Sequence, residues 1–381
     1  MEDIKQKLQG KRFLFHAING VGIGHLAREL IIADWISELD VGCECLFLTE
    51  GWFGKEIGDR GYAALRLPAT SYVKTTPTEK LPPILDVMNI QQVGALAADS
   101  LRSTCQHFRP DYMIFDVSMP RILYDAVEEG VKRVYVARLG RNVTNVANSN
   151  LTPPPDIVLV PNEKTQIDQY RSDLSKFKSK VVLTGPIIRT IDNSNDKQHA
   201  VRARMGLSID DEFLLITLGA GGWEYSSELL PRCKQVVDEI RQRFPELKIV
   251  LSTGPLLRGK MTYAQQFADV VFDFDWDLQV LMRTARAILT MGGYNSLYEV
   301  AMSGTPTIIF PAAASFDQID MTNDWMRRFP QVGATQPDGQ YLLKHLIAAL
   351  QHGRNEKPGE ALRTAIEKSK LRTLRALSEL A

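Results

Sequence analysis

A chain of 381 residues exceeds one ordinary domain, and its 44% apolar and 24% charged residues are enough for sizeable cores. Its 45 basic and 45 acidic side chains balance to a formal net charge of zero, which removes the basic field that a nucleic-acid partner would favour. No apolar run approaches the roughly 18 residues needed to span a bilayer, and the leading MEDIKQKLQGKRF lacks the apolar core of a signal peptide.

From Arg12 the pattern alternates strand, turn and helix. The apolar run Arg12–Ile18 predicts a buried strand, Asn19–Gly24 a glycine-rich turn and His25–Leu39 a helix. Strand Cys43–Leu48, a short helix Phe53–Arg60 and strand Ala63–Leu67 follow. Pro68–Pro83 is rich in Pro, Thr and Ser and reads as a loop. Ile84–Phe108 reads as a long helix, Tyr112–Phe115 as a strand ending at Asp116, Arg121–Glu129 as a helix and Arg133–Val136 as a strand. Ala137–Pro155 reads as a polar loop, and strands Ile157–Val160 and Val181–Leu183 complete this half. Cys43, Cys45, Cys105 and Cys233 form no C-x-x-C pair, so they read as free thiols in a reducing cytoplasm.

The first turn, Gly20-Val21-Gly22-Ile23-Gly24-His25-Leu26-Ala27-Arg28, misses the dinucleotide spacing G-x-G-x-x-G by one residue. That argues against NAD, even with Glu50 placed to mimic the ribose acid. Gly24 and His25 instead stand at the carboxyl end of the first strand. An imidazole, with an unperturbed pKa of about 6.5, suits proton abstraction from a hydroxyl at neutral pH. The other reading of His25 is a helix cap. A base of this kind works better when a carboxylate orients its second nitrogen. Asp116 is the candidate, its alternative being an N-cap for the helix near Pro120. His16, inside the strand, reads as a buried structural residue.

Thr184-Gly185-Pro186 breaks the alternation, and Asp192–Lys197 is charged and rich in Asn. The domain boundary is placed there: residues 1–187 first, residues 188–358 second, and an amphipathic helix over 359–381. The second half runs strand Phe213–Leu218, helix Ser226–Phe244, strands Lys248–Leu251 and Val270–Phe272, and helix Leu278–Thr284. Gly219 and Gly221 follow its first strand and Thr253 its second, where backbone can approach a ligand. Asp273, Asp275 and Asp277 alternate before a helix, where acidic residues complement the macrodipole without any metal. No metal site is expected.

The stretch Ala287–Asn323 is the most informative. The apolar run Ala287–Thr290 predicts a strand, Gly292-Gly293 a turn, and Asn295–Met302 a helix ended by Ser303-Gly304. Pro306 restarts the chain, and Thr307–Phe310 is a second strand. A glycine turn before a helix N-terminus offers amide N–H groups and a partial positive charge to a phosphate. Glu299, one turn in, suits a ribose diol. Alternation throughout implies two parallel sheets covered by helices, an α/β chain with ligands at the carboxyl ends of the strands, in a cleft between them.

These strings resemble the glycosyltransferases of the two-Rossmann-domain (GT-B) type. Gly293-Tyr294-Asn295-Ser296 with Glu299, then Gly304-Thr305-Pro306, Pro311 and Asp317-Gln318, are similar in order to plant-type UDP-glycosyltransferases. The spacing from Asp317 to Asn323 looks like that of the bacterial peptidoglycan N-acetylglucosaminyltransferase. Gly-His in the first turn belongs to the same pattern, and Gly-His-x-x-Arg is similar to bacterial members and to related UDP-sugar hydrolases. Those families often place His or Arg where this chain has Met291, which leaves the diphosphate to backbone amides.

The resemblance implies transfer of a sugar from a UDP-linked donor to a hydroxyl or amine, with inversion and no metal or other cofactor. His25 would be the base and Asp116 its partner. Gly24, Gly219, Gly221, Thr253, Gly292, Gly293, Tyr294, Asn295 and Ser296 would hold the donor, and Glu299 its ribose. Phe274 would lie on the nucleobase, unless it is core, and Asp317, Gln318 and Asp320 would read the sugar. The expected partners are this donor and an unassigned acceptor, with no nucleic acid; a peripheral membrane contact stays open. A hydrolase of the same fold and a non-catalytic sugar-nucleotide sensor are the rival readings.

Overall fold

The structure, a computed structural model, describes residues 1–17, 23–49, 53–68, 90–149, 151–190, 192, 194–221, 224–310, 316–329, 332–334 and 339–381. Two units divide the chain: Met1–Val73, Pro82–Arg189 and Ala365–Ala381 form the first, Lys74–Leu81 and Thr190–Thr364 the second.

In the first unit the strands are β1 (Arg12–Ala17), β2 (Glu44–Thr49), β3 (Ala63–Arg66), β4 (Tyr112–Asp116), β5 (Lys132–Val136), β6 (Ile157–Val160) and β7 (Lys180–Leu183). They form a seven-stranded sheet in the order β3-β2-β1-β4-β5-β6-β7. Pairing is parallel, with Phe15 opposite Phe47 on one side and Ile114 on the other. The two central strands are buried on both faces, as a sheet covered by helices on each side requires. Leu14, Met113 and Tyr135 pack with Ala97 and Leu101 of the helix Ile90–Phe108. From Ala365 onward the helix Lys357–Ser378 belongs to this unit, where Tyr112 Oη donates to Leu377 O at 3.1 Å.

In the second unit β8 (Phe213–Thr217), β9 (Lys248–Ser252), β10 (Val270–Phe272), β11 (Ala287–Thr290), β12 (Thr307–Ile309) and β13 (Val332–Ala334) form a six-stranded parallel sheet. Its order is β10-β9-β8-β11-β12-β13. Alternate residues feed separate cores: Leu214, Ile216 and Leu289 lie in one cluster, Phe213, Leu215 and Ile288 in the other.

Each sheet order reverses once next to its first strand, between β1 and β4 and between β8 and β11. Chains leaving the two central strands there diverge to opposite faces, which opens a crevice at their carboxyl ends. In the first unit that point is flanked by Asp116 and by the helix Gly24–Ser37; in the second, by Gly219 and Gly292.

Several elements depart from the sequence reading. Ala137–Pro155 contains a helix, Arg141–Ala147, held by buried Val143 and by Thr144 Oγ1 donating to Asp173 at 2.7 Å. The stretch read as an Asn-rich break starts a helix, Asn195–Arg204, because Ser194 Oγ accepts from Lys197 N. The helix from Arg121 stops at Tyr124, short of the expected Glu129. Helices Glu2–Leu8 and Gly339–Gln351 and strand β13 were not anticipated. Pro231 sits inside the helix Glu224–Arg243. Gly20, Gly22, Glu50, Pro311 and all but Pro68 of the expected loop Pro68–Pro83 lie outside the described residues. Among the described residues no helix is long and apolar enough to cross a membrane.

Candidate functional site

The helix Gly24–Ser37 begins just past β1 and buries Leu26, Leu30, Ile32 and Ile36. Arg28 and Glu29 are buried with them, at 1% and 0% exposure, so this helix carries charge into the unit's interior. Its N-cap is Ile23, with no side-chain cap, so His25 lies within the first turn and does not cap. Asp116 is the last residue of β4 and is 1% exposed. The helix after it is capped at Pro120 without a side-chain bond, so Asp116 is not an N-cap either.

Arg28 bonds one oxygen of Asp116 and lies at ion-pair distance from the other, which has no well-aligned hydrogen bond among the described residues. Nε and Nη2 donate to Oδ1 at 3.2 and 2.9 Å, and Nη2 lies 2.8 Å from Oδ2. His25 Nδ1 stands 3.6 Å from the same Oδ2, an ion-pair distance and too long for a good hydrogen bond. The His25 side chain keeps 30% of its exposure. Neither carboxyl oxygen of Glu29 meets a hydrogen-bond donor among the described residues. Burial pushes this carboxyl well above its ordinary value and the Asp116 anion adds to the rise, against the pull of Arg28. Arg28, Asp116 and a carboxyl whose ionisation burial opposes therefore lie close enough to act on one another.

Directly after Asp116 the chain is strained. Val117 has φ +62°, a left-handed conformation that a β-branched residue rarely adopts. It is held there by Val117 N donating to Val136 O at 2.9 Å and by Tyr135 Oη donating to Val117 O at 3.1 Å. Burial, and then Asp116, push the Tyr135 hydroxyl far up from its ordinary value, so it stays a donor.

In the second unit the glycine turns divide into two kinds. Gly221 and Gly254 serve the fold. A Cβ on Gly221 would come within 2.7 Å of Thr253 O, and one on Gly254 would overlap the Gly219 carbonyl and Ala220 backbone. Thr253 is fully buried and its hydroxyl reaches Gly254 O at 3.3 Å. Gly219 is exposed, with nothing within 4 Å of a built Cβ, but its φ of +64° still favours glycine.

Gly293 is the N-cap of the helix Tyr294–Ser303 and has φ −70°, a conformation open to any residue. Its Cβ would meet only Ser296 Oγ, at 3.8 Å. Among the described residues, nothing in the fold therefore requires glycine there. Gly292 and Tyr294 are buried, Tyr294 against Tyr298, so these two residues offer backbone and not side chain. Asn295 and Ser296 are half-buried. Met291 is 4% exposed and packs in the core, which explains why an apolar residue is accepted there. Asp317, Gln318 and Asp320 fall in the helix Phe316–Arg328, with side chains outside the described residues.

Two residues that the sequence reading missed, Gln279 and Arg204, hold residues that it named. Gln279, 6% exposed, donates from Nε2 to Glu299 Oε1 at 2.8 Å. Phe274 and Trp276 form a half-buried edge-to-face pair with ring centres 4.8 Å apart. The acids beside them are held by bases of the helix Asn195–Arg204: Arg204 Nη2 lies 2.8 Å from Asp275 and 3.1 Å from Asp277, and Lys197 lies 2.7 Å from Asp277. Burial opposes the ionised form of Asp277, but the bonds from Lys197 and Arg204 outweigh it and hold the carboxyl below its ordinary value. The run at 273–277 is thus an anchored loop. No local signal marked Gln279 or Arg204, since each partner is remote in sequence.

No family model matches the chain. An uncharacterized glycosyltransferase of Methanopyrus kandleri, MK0977, is 24% identical over 159 residues, which is 41% of this chain and 41% of that relative. Among solved structures, CalG4, the calicheamicin glycosyltransferase, superposes with a TM-score of 0.60 at 13% identity, over 97% of this chain and 98% of its own. A UDP-glucosyltransferase of Polygonum tinctorium that glucosylates indoxyl gives 0.60 at 12% identity, over 97% and 98%. MurG of Acinetobacter baumannii gives 0.54 at 16%, over 97% and 99%. At these identities the likeness establishes the fold, and the fold is GT-B.

Proposed function

We propose that the chain is a glycosyltransferase that moves a sugar from a UDP-linked donor to an acceptor hydroxyl or amine, with His25 as the base. The observation that carries this reading is the start of the helix Tyr294–Ser303. Its N-cap, Gly293, brings no side chain, has no conformational need to be glycine, and has open space beside it. A helix N-terminus with that approach suits a diphosphate, whose oxygens take amide N–H groups and the positive end of the dipole. Glu299, one turn on and oriented by Gln279, suits the ribose diol. Phe274 and Trp276 supply an aromatic wall for a nucleobase. Asp317, Gln318 and Asp320 are assigned to the sugar hydroxyls.

In the proposed step the acceptor oxygen bonds to the anomeric carbon as the bond from that carbon to the diphosphate oxygen breaks. The diphosphate leaves with the electron pair, and its charge is met by the helix N-terminus. In this reading the proton is on His25 Nδ1, the nitrogen 3.6 Å from Asp116, and Nε2 takes the acceptor proton. Attack from the face opposite the leaving group inverts the anomeric centre. The reading uses no metal and no other cofactor. Four free thiols fit a reducing compartment such as the cytoplasm.

The test is His25→Ala assayed for UDP release and for calorimetric UDP binding. Turnover is expected to fall by about 100-fold or more, on the scale of general-base catalysis, with UDP affinity retained. Undiminished turnover would remove His25 from the mechanism. Incubation with donor alone separates transfer from hydrolysis, because a hydrolase releases one sugar per UDP with no acceptor present.

A further inference from the structure

We propose that Arg28 is a positioning residue: by bonding Oδ1 of Asp116 and pairing with Oδ2 it fixes that carboxylate beside His25 Nδ1 and so selects the tautomer whose Nε2 is free to take a proton. The inference rests on the reading of His25 as the base, and it concerns a residue with no place in that reading so far.

The geometry is specific. Arg28 reaches Oδ1 through two nitrogens at 3.2 and 2.9 Å and Oδ2 at 2.8 Å, so the carboxylate plane is set by the guanidinium fork and not by the imidazole 3.6 Å away. Both partners are buried, at 1% exposure each, where a charge needs a counter-charge to stay ionised. Glu29 is the other buried acid beside Arg28, and both Glu29 oxygens lack a donor among the described residues, which suits a carboxylic acid and not a carboxylate. Tyr135, another titratable group near Asp116, is bound to Val117 O and also feels the charge of Arg138, and buried His16 lies on the neighbouring strand against Phe115. The helical spacing is part of the device. His25 and Arg28 are three apart on one helix, so they share a face, and one carboxylate from β4 meets both.

Without Arg28, Asp116 would be a buried carboxyl with no cation bonded to it. Its plane would turn or its charge would be lost, and His25 would lose the anion that selects Nδ1–H. Removing the arginine and removing the carboxylate should then have one and the same effect on the imidazole.

The experiment is nitrogen-15 NMR of histidine-labelled full-length protein at a pH where His25 is neutral. The His25 signals are assigned with His25→Ala, and no substrate is needed. In the parent, the Nδ1–H tautomer is expected to be the major one, because the Asp116 carboxylate lies on the Nδ1 side. Arg28→Met and Asp116→Ala are each expected to lower its share to about one-half or less, and the double variant to lower it no further. Arg28→Lys, which keeps the charge but cannot span both oxygens, is expected to fall between and remains informative if Arg28→Met does not fold. A folded Arg28→Met or Arg28→Lys with the parent tautomer ratio overturns the proposal, as do additive effects in the double variant. If His25→Ala keeps full turnover while Arg28 still sets the tautomer, the catalytic reading fails and this one stands.

Discussion

Gln279 Nε2 donates a 2.8 Å hydrogen bond to Glu299 Oε1, tying the start of the helix Leu278–Thr284 to the helix that begins at Tyr294. The amide is 6% exposed, so the bond forms out of water's reach and sets the carboxylate rotamer. A diol arriving at Glu299 would meet an acceptor already oriented, with less side-chain entropy to lose.

That relationship gives the first prediction. Gln279→Leu keeps the volume and removes the donor, and UDP should bind about tenfold more weakly by calorimetry, the scale of one bond to a charged group. An unchanged dissociation constant would separate Glu299 from the ribose.

The two kinds of glycine turn give a paired prediction. Gly254→Ala forces a Cβ into the Gly219 and Ala220 backbone at φ +84°, so urea unfolding should register a loss of about 2 kcal/mol or more. Gly293→Ala has room and an ordinary φ of −70°, so stability should stay within about 0.5 kcal/mol. UDP affinity should nonetheless drop by about tenfold, because the methyl occupies the path to the helix amides. A Gly293→Ala protein that binds UDP normally would argue that the diphosphate lies elsewhere.

Glu29 makes stability depend on pH. Its folded carboxyl holds a proton that the unfolded chain releases as pH rises through the ordinary value of 4.5. The folded state then binds more protons, so the parent is most stable below that pH and loses stability as pH rises toward the higher folded value. Glu29→Gln cannot titrate. It should match the parent near pH 4 and exceed it at pH 8 in chemical denaturation, whereas an equal offset at both would mean that Glu29 is ionised in the fold.

Tyr135 holds the strained step after Asp116. Tyr135→Phe removes the donor to Val117 O, 3.1 Å away in a buried setting, and should cost about 1–2 kcal/mol by urea titration. If Val117 relaxes from φ +62° as a result, Asp116 shifts with it and turnover should fall as well. Full stability in the variant would mean that the carbonyl finds another donor.

Much of the fold was legible in the chain because its signals are local. Apolar runs such as Phe213–Leu218 and Ala287–Thr290, each followed by glycine and a helical period, point to strand–turn–helix units with only a dozen residues in view. His25 and Asp116 lie at the ends of such elements and Glu299 one turn or so into its helix, where the local pattern already places them. The failures were local too. The helix Asn195–Arg204 is polar along most of its length and shows little periodicity, so only Ser194 and the acidic Asp196 in its first turn marked its start.

What the tertiary structure alone decided is who meets whom. Strand order put β1 beside β4 and β8 beside β11, and no pattern within a strand encodes its neighbour. Arg28 meets Asp116 across 88 positions, Arg204 meets Asp275 across 71, and Gln279 meets Glu299 across 20. A carboxylate marks where chemistry can happen, but its partner is chosen by the packing of whole helices on a sheet. That packing is a property of the cores on both faces and not of the residues that end up paired.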